Sequence, residues 1–265
     1  MITNNFFIVA AIVIYLLVML AIGFVFSKNN SNTEDFYLGG RKLGPFVTAM
    51  SAEASDMSSW LLMGLPGVAY LSGVCDAAWT AIGLGIGTYL NWLFVARRLR
   101  RYSANINAFT VPSFYSKRFH DDKNILNAIC ALVIVIFFIP YTASGFAACG
   151  KLFNSLFGVD YMAAMVVSAI VIVGYTIMGG FKAVSTTDFI QSCVMTIALV
   201  VVLGFGITAA GGFDAVMANA NSMAGYLSLT AMHDAASGTA SPYGFITIIS
   251  TMAWGLGYFG MPHII

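Results

Sequence analysis

The chain has 265 residues, of which 59% are apolar and only 9% charged, with a net charge of +1 and a mean hydropathy of +0.86. A soluble domain carries about 25% charged residues, so a water-exposed globular fold is excluded. Most of this chain must meet lipid or packed helices, which makes it an all-α integral membrane protein. The basic residues form no contiguous stripe with interleaved aromatics, so no nucleic acid is expected as a partner. Cys75, Cys130, Cys149 and Cys193 have no CxxC spacing, and neither a disulfide nor a transition-metal site is expected.

A bilayer core about 30 Å thick needs ~20 apolar residues in a helix. Seven such runs are predicted, at roughly 6–26, 44–72, 77–96, 125–150, 161–180, 187–210 and 243–265, within a single transmembrane domain spanning 1–265. The first follows the short polar start MITNN, with no cationic leader, and reads as a retained span rather than a signal peptide. Lys and Arg alternate across the connections. Eleven fall on one side (Lys28, Arg41, Lys42, the seven between Arg97 and Lys123, and Lys182) against Lys151 alone on the other. Cytoplasmic loops hold the excess of positive charge. The N-terminus is therefore predicted outside a cell (inner or plasma) membrane, with the large basic loop 97–124 cytoplasmic. The connection 211–242 lacks Lys and Arg and suits an external link or a small surface helix.

In span two, SAEASDMSSWLLM at 51–63 places Glu53 and Asp56 among serines and alanines, and GLPG follows at 64–67. A carboxylate at membrane depth costs ~2.5–3.5 kcal/mol on insertion scales. Weak helix formers and a proline favour a break there, and freed carbonyls at such a break suit a cation and the polar ends of a solute. Asp56, with Ser55 and Ser58 beside it, offers hard oxygen ligands or a counter-charge fitting Na⁺. The competing reading is close helix packing through small residues, with serines bonded back to their own helix. That reading leaves Asp56 without a Lys or Arg in its span. Glu53, nearer the cytoplasmic start, reads equally well as a side chain reaching toward water.

PYTASG at 140–145 puts Pro140 and Tyr141 in the middle of span four, predicting a bend and a hydroxyl in the core. WGLGYFGMPH at 254–263 predicts a second interrupted helix in span seven, with Trp254 and Tyr258 four apart on one helical face. His120, His233 and His263 are scattered, and no nucleophile motif appears, so an enzyme is not expected.

LGGRKLGPFVTAMSAEASDMSSWLLMGLPG at 38–67, GGF...VSTTDFIQ at 179–191 and MAWGLGYFGMPHI at 252–264 resemble the sodium:solute symporter family over essentially the whole chain. The resemblance implies a helical bundle of the five-plus-five inverted-repeat type, with span one extra, spans two to six forming the first repeat and span seven opening the second. It implies Na⁺-coupled symport of a small organic solute, L-proline above all, by alternating access, with Na⁺ as coupling ion and no cofactor. It assigns Na⁺ to the backbone carbonyls of Ala54 and Met57 and to Asp56. Ser58, Trp60, Tyr141, Trp254, Tyr258 and Pro262 would line the solute pocket. Arg41, Ser55 and Asp188 would serve coupling and ion access.

The family pattern has glycine at 53 and 59 and glutamine at 261, where this chain has Glu53, Ser59 and Met261. These differences bear on substrate identity, and another small solute such as pantothenate is the nearest alternative. The family's proteins have about twice as many helices, with some Na⁺ hydroxyl ligands in the second repeat. The chain therefore reads as a partial sequence, expected not to transport by itself. The same fold also serves as the membrane input module of sensor kinases, and a channel would instead need a continuous polar pore.

Overall fold

The computed structural model describes residues 2–28, 32–56 and 60–261. Among these, four helices are long and apolar enough to cross a membrane: Ile8–Ser27, Val74–Asn105, Ile125–Phe157 and Tyr161–Ala209. Span seven is absent from that set because its α-helix gives way to a 3₁₀ segment after Met252, and span two includes residues 57–59, which lie outside the described residues. Spans five and six share one helix of 49 residues, which at 1.5 Å per residue is roughly twice the bilayer thickness. The turn lies at Gly180, with φ 59° and ψ −162°, a combination open to glycine almost alone.

The chain divides into two compact units, Met1–Asp56 with Ile106–Cys193, and Met57–Asn105 with Val194–Ile265. The first contains α1 (Ile2–Ser27), α2 (Thr33–Leu38), α3 (Pro45–Asp56), α7 (Val111–Arg118), α8 (Ile125–Phe157) and the first part of α9 (Tyr161–Ala209). α1 and α9 pack closely. A Cβ on Gly179 would sit 3.1 Å from the Gly23 Cα, and small residues are what permit helix axes to come so near. α3 meets α9 through the Phe46 and Phe189 rings, 5.6 Å between centroids, and through Ser192, whose Oγ donates to the Met50 carbonyl at 2.8 Å. The start of α8 is capped by Asp121, whose Oδ2 accepts from the Leu126 amide at 2.7 Å. α8 continues unbroken through Pro140. The proline withdraws one N–H, so the Ile136 carbonyl loses its helical partner.

The second unit contains α4 (Leu65–Ser72), α5 (Val74–Asn91), α6 (Arg97–Asn105), the end of α9, α10 (Phe213–Ser222), strands β1 (Ala231–Asp234) and β2 (Thr239–Pro242), and α11 (Phe245–Met252). A π turn, Trp92–Ala96, joins α5 to α6 without interruption, so the helix runs nine residues beyond the predicted end of span three. The connection 211–242 holds the expected small helix, α10. It also holds an antiparallel hairpin in which Ala231 pairs with Pro242 and Asp234 with Thr239, a small exception to an otherwise helical chain. This connection is tied to α5. Val74 N–H donates to the Tyr226 carbonyl at 2.8 Å, and Trp79 Nε1 donates to the Leu229 carbonyl at 2.8 Å.

Span seven is interrupted as predicted. α11 ends at Met252 and a 3₁₀ segment follows over Ala253–Phe259. This segment lies against α5 at backbone distance: a Cβ on Gly83 would meet the Met252 carbonyl oxygen at 2.5 Å, and one on Gly87 the Gly255 carbonyl oxygen at 2.2 Å.

Candidate functional site

Polar side chains inside the first unit converge on Asp188. This residue lies on α9, eight residues after the Gly180 turn, and is 9% exposed. Ser51 and Ser55 stand one helical turn apart on α3, so their hydroxyls project from one face. Both donate to Asp188 Oδ2, at 2.9 and 3.2 Å. A carboxylate removed from water needs such donors, since burial without them costs several kcal/mol. Tyr141, on α8 one residue after Pro140, donates its hydroxyl to the Ser55 carbonyl at 3.4 Å. Next to this cluster, the Tyr15 hydroxyl of α1 accepts from the Gln191 amide of α9.

Asp56 is the last described residue of α3 and is half-buried, while Glu53 one turn earlier is exposed. Ala54 lies in the same last described turn. Met57, Ser58 and Ser59 lie outside the described residues, as do Pro262 and His263. Trp60–Gly64 form a π turn, and α4 follows with Pro66 in its first turn.

In the second unit the Trp60 and Trp254 rings pack at 5.4 Å between centroids, inclined by 33°. Trp254 is 48% exposed and Tyr258 6%. The expectation that these two share a helical face fails here. With three residues per turn, a 3₁₀ segment aligns i with i+3, so Trp254 and Tyr258 diverge by about a third of a turn. In the same unit, Tyr243 donates to Asp76 Oδ1 at 2.7 Å and accepts from Thr251 Oγ1 at 2.6 Å, joining the start of α5 to α11.

Arg41 occupies the turn between α2 and α3 in a left-handed conformation, φ 55°. Its Nε pairs with Glu34 Oε1 at 3.0 Å, and Nη2 donates to the Ala108 carbonyl at 3.1 Å. Of the residues expected to act together in coupling, the structure brings Ser55 to Asp188 and places Arg41 in this capping turn.

Sequence reasoning missed Ser51, Ser192 and Asp76. The spacing of Ser51 from Ser55 was a usable signal, as was the polar run Ser185, Thr187, Asp188 and Ser192 inside an apolar span. Asp76, at the edge of a span, carried no comparable signal. Among the described residues no three His, Cys, Asp or Glu side chains gather as a metal cluster would require.

The model of the sodium:solute symporter family matches residues 36–265. The sodium/proline symporter of Staphylococcus aureus is 43% identical over 255 residues, 96% of this chain and 48% of that relative. The sodium/proline symporter of Escherichia coli K12 is 45% identical over 255 residues, 95% of this chain and 48% of its own length. The chain therefore spans about half the length of the curated relatives it matches. Among solved structures, a Na⁺-coupled sialic acid symporter in a substrate-bound outward-open state superposes with a TM-score of 0.72 at 20% identity, covering 93% of this chain and 48% of that one. That likeness shows the fold. The relatives are transporters and not enzymes, and their multi-pass membrane architecture agrees with the long apolar helices. With the family pattern running from residue 36 to residue 265, the chain belongs to the sodium:solute symporter family.

Proposed function

We propose that the whole protein to which these residues belong is a Na⁺-coupled symporter that takes up L-proline or a similar small organic solute by alternating access. The observation that carries this reading is the buried Asp188 carboxylate, which accepts from Ser51 and Ser55 within the spanning helices of a chain of this family. The identities of 43% and 45% to sodium/proline symporters favour proline. Seven spans, with the N-terminus outside and loop 97–124 cytoplasmic, and an inverted repeat completed by residues beyond this chain, form the proposed topology.

In this scheme Na⁺ binds at the carbonyls of Ala54 and Met57 with Asp56 supplying negative charge, and orders the broken span. Trp60, Tyr141, Trp254 and Tyr258, with Ser58 and Pro262, then receive the solute. Proline is a zwitterion with an apolar ring, and aromatic faces can cover the ring and attract its ammonium, at about 0.5–2 kcal/mol per contact. Asp188, held by Ser51 and Ser55, and Arg41 belong to the ion's cytoplasmic route. One charge crossing 100 mV supplies ~2.3 kcal/mol, and a tenfold Na⁺ gradient adds about 1.4 kcal/mol. One ion per solute therefore supports accumulation of several hundred-fold.

The test is uptake of labelled proline by the complete protein in proteoliposomes, with a Na⁺ gradient imposed and a panel of unlabelled solutes as competitors. Na⁺-dependent uptake blocked by proline is expected. Uptake blocked by pantothenate and not by proline would move the substrate, and uptake indifferent to Na⁺ would overturn the coupling.

A further inference from the structure

The helix Val74–Asn105 carries a feature that neither ion nor solute uses. Its last segment, α6, begins Arg97-Arg98-Leu99-Arg100-Arg101, and no Asp or Glu occurs between Asp76 and Asp121. Arg97, Arg98, Arg100 and Arg101 line one side of it, with Leu99 and Ser103 half-buried. At about 100° per residue the four guanidinium groups occupy an arc of roughly 160°, with Leu99 and Ser103 on the opposite side. The basic arc therefore faces outward and the remaining face is the packed one.

Depth along the helix places this arc. From Val74, a hydrocarbon layer of about 30 Å ends near residue 94, and Arg97 to Arg101 follow roughly 4 to 10 Å further on, a distance that matches the headgroup layer. The side chains just before the arc agree: Trp92, Leu93 and Phe94 are 37%, 53% and 51% exposed, as suits an aromatic and apolar collar at the membrane boundary. Because the π turn at Trp92–Ala96 keeps the helix continuous, the arc is held at this depth by the span itself.

We propose that the arginine arc of α6 binds anionic phosphodiester headgroups, that is, acidic phospholipids of the membrane that the Val74–Asn105 helix crosses. Guanidinium groups match phosphate oxygens in a two-pronged geometry that ammonium groups cannot reproduce, and clusters of at least four basic residues directly after a span attract acidic lipid. The inference rests on the membrane-spanning reading of this helix and is independent of the transported solute.

The 265-residue chain, purified in detergent, is exposed to equimolar phosphatidylglycerol and phosphatidylcholine, and bound lipid is counted by native mass spectrometry. Phosphatidylglycerol adducts should predominate. The quadruple variant R97Q/R98Q/R100Q/R101Q should lose that preference by about tenfold or more, while R97K/R98K/R100K/R101K, which preserves charge but not the paired donors, should lose part of it and less than the glutamine variant. If the glutamine variant does not fold, R97Q/R101Q, on one line of the helix, decides in its place with a several-fold loss expected. Equal retention of both lipids by the parent chain, or an undiminished preference in a folded glutamine variant, would overturn the assignment. Displacement of the lipid by inorganic phosphate at equal concentration would overturn it in favour of a soluble anion.

Discussion

Replacing Gly87 by alanine tests the packing that holds the 3₁₀ segment. The added Cβ would sit 2.2 Å from the Gly255 carbonyl oxygen, whereas an ordinary C···O contact is about 3.3–3.6 Å. An overlap of roughly 1 Å falls on backbone, which cannot swing aside as a side chain would, so α5 and the 253–259 segment must separate. Overpacking of this kind costs about 1–3 kcal/mol, partly offset by the ~0.5–1 kcal/mol by which alanine exceeds glycine in a helix. Gly85, on the same helix, has nothing from another segment within 4 Å of where a methyl would stand, so Gly85→Ala receives only the favourable term. Because the helix term is common to both, the two variants should differ by about 1–3 kcal/mol in the free energy of unfolding, read from SDS titration followed by circular dichroism in mixed micelles. Fluorescence should report the same event locally, since displacement of the segment parts Trp254 from Trp60. If Gly87→Ala and Gly85→Ala unfold alike, the backbone contact between α5 and the 3₁₀ segment is wrong.

The Asp188 cluster makes a second prediction. Ser51→Ala should cost about 1.5–3 kcal/mol as a hydrogen bond to a charged group and about 0.5–1.5 kcal/mol in an Asp188→Asn background; identical costs in a double-mutant unfolding cycle would remove the serine–carboxylate pairing. In the complete protein, Asp56→Asn should raise the Na⁺ concentration required for half-maximal uptake steeply, and an unchanged requirement would remove the role proposed for that carboxylate. The hairpin turn carries a pH dependence. The Ser237 hydroxyl and the Ala236 amide hold the Asp234 carboxyl below the usual carboxylate range, so its contribution is present at neutral pH and lost as pH falls through that lowered value. Amide exchange in 231–242 should quicken on acidification in the parent and not in Asp234→Asn, where persistence of the acid response would assign it elsewhere.

The interruption of span seven was legible because its cause is local. The glycines of 254–260 weaken a helix wherever it is placed. The turn between spans five and six was legible as the short gap predicted at 181–186, and it falls at Gly180, just before that gap. The hairpin was not, since AMHD and TASP are short, carry little β-branched character and take their pairing from a turn closed at Gly238, φ 68°. Nor was the divergence of Trp254 and Tyr258, because a sequence pattern assumes the α-helical period and backbone contact with α5 accompanies a tighter one.

By itself the sequence determined that this protein lives in a membrane and that its seventh span is interrupted, because hydropathy and helix propensity act over a few neighbouring residues. Tertiary structure alone decided which residues meet. Ser51 and Ser55 reach Asp188 across separations of 137 and 133 positions, and Trp60 meets Trp254 from the far end of its unit's sequence. Such pairs depend on how whole helices approach one another, which is set by the small residues that line their contacts and not by the residues that are finally brought together.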